Sequence, residues 1–133
     1  SEEFRRLLQS YSLGIKPIIH GLLEKEEVRS LLYSCDALVL PTRGEVHPLV
    51  VLECISSGMP AVITEACPKH TLPEGSYIAV TLDTIADGLL QLRSFLKGYD
   101  ARKASDYVGK HLSMMAVGRS IERNIMEAVN GKS

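Results

Sequence analysis

The chain has 133 residues, 45% of them hydrophobic and 23% charged, which suits one soluble α/β domain able to bury a sizeable core. A formal net charge of −1, with the basic residues scattered along the chain, gives no electrostatic footprint for nucleic acid, and no nucleic-acid partner is expected. No apolar run approaches the roughly 18 residues of a membrane-spanning helix, and no charged-then-apolar leader opens the chain, so cytoplasmic residence is expected, with peripheral membrane attachment open for a full-length enzyme.

In chain order, the pattern predicts a helix near Glu2–Leu13, a strand Lys16–His20, a helix Lys25–Ser34 and a strand Ala37–Leu40. A helix Pro48–Ser57, strands Ala61–Thr64 and Ser76–Val80, and helices Thr84–Leu96 and Ala101–Val129 complete the series. This alternation predicts parallel β-α-β units, a Rossmann-like sheet flanked by helices. Gly58 suits the left-handed residue that stops a helix, and Pro60 bars its continuation. Asp83 or Thr84 can cap the following helix, whose Ile85, Leu89, Leu92 and Leu96 recur at helical spacing and are expected to face the sheet. Gly109 and Gly118 weaken the case for one continuous helix at the end. Cys35, Cys54 and Cys67 lack metal-ligand spacing and read as three reduced, partly buried thiols.

The stretch richest in chemistry is Pro41-Thr42-Arg43-Gly44-Glu45-Val46-His47-Pro48-Leu49-Val50-Val51-Leu52-Glu53. Ala37–Leu40 suits a strand buried on both faces of a parallel sheet, which puts the loop after it at the carboxyl edge, where open α/β sheets bind ligands. Pro48 fits the first helical position, leaving the amides of Leu49 and Val50 without intrahelical acceptors. Unpaired donors at the positive end of a helix form a receptor for a diphosphate. Glu53 lies about one and a half turns into that helix, so its carboxylate and that of Glu45 flank the same edge. A carboxylate accepts from two hydroxyls of a sugar diol at once, through charge-assisted bonds. His47 is read equally as a donor to a phosphate or sugar oxygen and as a capping or packing residue. His20 and His111 are most simply structural or solvated, and Arg43 and Lys69 are exposed cations with no specific duty implied by spacing.

At these residues the chain resembles the C-terminal, donor-binding domain of retaining GT-B glycosyltransferases, family four, whose signature Glu-x7-Glu is matched by Glu45 and Glu53. The similarity extends through Ile18-Ile19-His20-Gly21, Glu26-Glu27-Val28, Leu31–Ala37 and Ser57-Gly58-Met59-Pro60-Ala61-Val62-Ile63-Thr64. It implies a single partial donor-nucleotide domain over residues 1–133, in which Glu45 binds the donor sugar and is the catalytic candidate. It further implies that Glu53 binds the ribose, that the Leu49 and Val50 amides hold the phosphates, and that Gly21 and Leu22 border the base. The substrate implied is a UDP-, GDP- or ADP-sugar, transferred with retention to an acceptor sugar or lipid-linked glycan; no separate cofactor and no metal is called for.

Two departures stand out: Pro48 where many members carry Gly, and Glu65–Gly75 in place of a Gly-Gly-x-Pro-Glu segment. The family's opening strand, glycine-rich turn and phosphate-neutralising Lys or Arg have no counterpart in this sequence, so the isolated chain is expected to be inactive. With strand order 3-2-1-4-5-6 in the resembling fold, the missing strands would leave Ala37–Leu40 with an open edge. That edge is expected either to pair with Lys16–His20 or to associate with a second copy or a partner chain. The alternative reading is a non-catalytic nucleotide-sugar or interaction module; a sugar-nucleotide epimerase of the same architecture is a third, with motifs that match less well.

Overall fold

Short apolar runs followed by turn residues build three parallel strands, and the computed structural model describes them within residues 2, 6, 17–46 and 48–131, with backbone alone at 114–120 and 128. The strands are β1 (Leu38–Leu40), β2 (Ala61–Thr64) and β3 (Tyr77–Val80), side by side in the order β1-β2-β3. Leu38 stands opposite Ala61 and Leu40 opposite Ile63, while Thr64 pairs with Val80. All four residues of β2 are buried, as a central strand covered on both faces requires.

The helices are α1 (Lys25–Ser34), α2 (Leu49–Ser56), α3 (Ile85–Gly98), α4 (Ala101–His111) and α5 (Met114–Asn130). α1 has the predicted bounds, and its start is fixed by a reciprocal cap between Glu24 and Glu27. α2 ends in a Schellman turn: Met59 N–H donates to the Cys54 carbonyl and Gly58 N–H to that of Ile55, with Gly58 at φ 86°. α2 and α4 pack together over one sheet face, where Val51, Ile55, Ala61, Ile63, Cys67, Leu72, Ala104 and Val108 form the core. α3 covers the other face.

Several expectations are corrected. Pro17–His20 form no strand and pair with nothing in the sheet, so the pairing of Lys16–His20 beside β1 does not occur among the described residues. Among the described residues β1 is consequently an edge, and Val39, expected to be buried, is 37% exposed. Pro48 is the N-cap of α2 and not its first helical residue, at φ −80° and ψ 61°, so the helix begins one residue later than expected. Leu89 and Leu96 point to solvent. Buried Gly88 meets the sheet instead, and a β-carbon there would fall 2.9 Å from Val80 Cγ1 and 3.0 Å from Val62 Cγ1. The small residue lets α3 lie close, which rotates the leucines at 89 and 96 outward. The final helix divides at Leu112–Ser113, away from both glycines, after Leu112 N–H closes α4 on the Val108 carbonyl. The predicted Glu2–Leu13 helix falls almost wholly outside the described residues.

Candidate functional site

Because the three strands are parallel, Leu40, Thr64 and Val80 end at one edge, and the loop 41–48 and the start of α2 lie there. That loop is tied down locally. Thr42 Oγ1 donates to the Gly44 carbonyl at 2.8 Å and accepts from Gly44 N–H at 3.2 Å, closing a hydroxyl turn. Thr64 Oγ1, at the end of buried β2, donates to the Thr42 carbonyl and ties the loop to the sheet. Sequence reasoning passed over this pair; its only signal was a hydroxyl residue at the carboxyl end of an apolar strand.

Glu45 is half-buried, and one of its carboxylate oxygens accepts from Val46 N–H at 3.0 Å. Beyond it, the buried Pro48 begins α2, and its carbonyl accepts from Val51 and Leu52 at 3.0 and 3.1 Å. The amides of Leu49 and Val50 donate to no acceptor among the described residues. They sit at the positive end of the helix on an exposed surface, with Leu49 58% accessible. Glu53 follows Leu49 by one turn, so the two share a helix face, and its side chain is exposed. Its carbonyl is occupied by the hydroxyls of Ser56 and Ser57. The carboxylate is free to face solvent, while the neighbouring Val51, Cys54 and Ile55 have no exposure.

Two thiols report the nearby charges. Burial, followed by the fields of Glu53 and Cys35, pushes Cys54 from 9.0 up to about 11. Burial and then Glu45 raise Cys67, against a smaller opposing pull from Lys69. Each motif glutamate thus lies close enough to a core thiol for its charge to be felt there. Gly21 and Leu22 are exposed, Leu22 fully so, and neither is brought into a hydrogen bond with the motif loop among the described residues. His47 lies outside the described residues. No three His, Cys, Asp or Glu side chains converge as a metal site among those described, and no described helix is long and apolar enough to cross a membrane.

Chemically, the carboxyl edge offers two amides without acceptors among the described residues, for an anion, and two carboxylates for hydroxyl groups, arranged around one helix start. Comparison with known proteins bears on the family of the chain. The sulfoquinovosyl transferase SQD2 of Arabidopsis thaliana is 33% identical to this chain over 63 residues, which is 47% of this chain and 12% of that protein. The chain therefore spans about an eighth of the length of that relative. The family model described as glycosyl transferases group 1 matches residues 1–94, well over half of the chain, and the chain belongs to that family.

Proposed function

We propose that this chain carries the donor half-site of a retaining glycosyltransferase of GT-B architecture, binding a nucleoside diphosphate sugar at the carboxyl edge of its sheet. The observation that carries the reading is the start of α2, where the Leu49 and Val50 amides lack acceptors among the described residues, between Glu45 and Glu53. The diphosphate docks on those amides, helped by the helix dipole. Glu53, one turn along, accepts from the ribose hydroxyls, and Glu45 accepts from hydroxyls of the transferred sugar. His47 is assigned a supporting contact to a phosphate or sugar oxygen, and the backbone of Gly21 and Leu22 closes over the base once that segment is seated. Stabilising the departing diphosphate is the main electrostatic task, and it falls to preorganised donors. Transfer with retention follows if the leaving phosphate itself takes the acceptor's proton during attack on the same face of the sugar.

The acceptor, a sugar or lipid-linked glycan, belongs to parts of the enzyme beyond this domain. The open β1 edge favours a second element of the reading: further strands, from a longer chain, a partner or a second copy, complete the sheet there. Calorimetric titration with UDP, GDP and ADP, repeated on Glu53→Ala, tests the half-site. Saturable binding of one nucleotide that weakens about 10- to 100-fold in the variant is expected from the loss of charge-assisted bonds. Binding unchanged in the variant would refute the assignment of Glu53.

A further inference from the structure

Away from the motif loop, the crossing segment between β2 and β3 stands off from α4 and leaves an open cleft of about 1040 Å³, none of whose walls comes from residues 41–53. Lys69 lies on the crossing segment, and Arg102, Lys103 and Lys110 on the facing helix. These four cations form no ion pair among the described residues. Three carboxylates share the cleft. That of Asp100 is engaged in capping α4, where it accepts from Lys103 N–H at 2.9 Å, and those of Glu74 and Asp106 hold none of the cations.

The walls also carry aromatic surface. Tyr77 and Tyr107 line the cleft, and the Tyr107 ring packs on His111 with centroids 4.5 Å apart. A cavity of this size holds a molecule of metabolite dimensions, well beyond an inorganic ion.

We propose that this cleft is a second, phosphoryl-binding site, in which cations on both walls hold the phosphoryl group and the ring pair covers the ligand's body. Lysine and arginine recognise phosphoryl oxygens through charge-assisted bonds from separate directions, which a cleft with cations on opposing walls provides. The proposal is independent of the donor half-site, because it uses none of the same residues.

The test is an amide-resolved NMR titration of the whole chain with inorganic pyrophosphate at low salt, on the native protein and on Lys103→Ala/Lys110→Ala. Alanine is favourable at exposed helix positions, so the variant retains its fold. Shifts at residues 69–77 and 101–111, with affinity about tenfold weaker in the variant, are expected; shifts at Leu49 and Val50 report the donor site separately. Co-sedimentation of both proteins with phosphatidylcholine vesicles containing phosphatidic acid distinguishes a lipid headgroup from a free ligand: binding lost in the variant there, without a pyrophosphate response, assigns the phosphoryl group to the headgroup. No response at the cleft in either arm, or equal binding by the variant, overturns the proposal.

Discussion

Replacing Gly88 and Gly109 by alanine makes the same chemical change on two helices and is expected to have opposite effects. In a helix interior, alanine is favoured over glycine by about 1 kcal/mol, because glycine loses more backbone freedom on folding. At Gly109 on α4, a new β-carbon meets nothing within 4 Å, so the substitution should realise that gain. At Gly88 on α3 it arrives 2.9 Å from Val80 Cγ1 and 3.0 Å from Val62 Cγ1. Both neighbours are β-branched and stiff, and Val62 is wholly buried, so relief must come from lifting the helix off the sheet. Overpacking of this kind costs about 1–3 kcal/mol, which leaves a net loss of about 1 kcal/mol after the helical gain. A chain of this length shifts its midpoint by roughly 4 °C per kcal/mol, so the two variants should melt on either side of the native protein, several degrees apart. Thermal and urea unfolding, with unchanged m-values, provide the measurement. A Gly88→Ala protein as stable as Gly109→Ala would refute the account of α3 packing.

Glu45→Ala is expected to weaken binding of a nucleoside diphosphate sugar while leaving the free nucleoside diphosphate nearly unaffected; paired calorimetric titrations check this, and equal loss for both ligands contradicts the role assigned to Glu45. The raised thiol of Cys54 predicts a loss of stability at alkaline pH, since the unfolded thiol ionises from 9.0 while the folded one stays protonated to about 11. Unfolding free energy should therefore fall as pH rises between those values, and Cys54→Ala, compared with its own stability at pH 7, should show less of that fall. Native alkylation at pH 8 should label the exposed Cys35 and spare the buried Cys54 until the chain unfolds. Sedimentation velocity should show concentration-dependent association of the isolated chain that Val39→Lys, a charge on the β1 edge strand, reduces; a monomer at all concentrations would count against a role for that edge in self-association.

How far the sequence carried depended on whether local chemistry or distant packing decided each element. α1 and the end of α2 were legible because their signals are local: the helical pattern opening at Glu26-Glu27-Val28, and the Gly58 turn before Pro60. β2 was legible because its burial on both faces makes it a continuous apolar run. Pro17–His20 carry strand-like residues, yet a strand needs a neighbour, and among the described residues none pairs with them. The face of α3 was misread at Leu89 and Leu96, though not at the half-buried Ile85 and Leu92, because the close approach was set by a residue with no side chain at all. At the site, the motif loop and the unpaired amides were visible from Pro48 and the strand before it. The tether from Thr64 to Thr42 was not, since it joins residues 22 positions apart through the fold. The cleft beside α4 was equally hidden, because its cations come from two elements separated by β3 and α3.

The packing of α2 bears on how the two glutamates are spaced. Val51, Cys54 and Ile55 have zero exposure, so the rotational setting of this helix is fixed by the core beneath it. Each residue advances an α-helix by about 100°. Inserting or deleting one residue between Glu45 and the first buried position would require the core residues to keep their places, and the adjustment would have to be absorbed by the loop at 41–48. One inserted between Val51 and Glu53 would instead swing the carboxylate toward the apolar interior, where an unpaired charge is not tolerated. A change of length before Pro48 therefore falls on the loop, whereas one between Val51 and Glu53 falls on a helix whose setting the hydrophobic core decides, whatever ligand the edge receives.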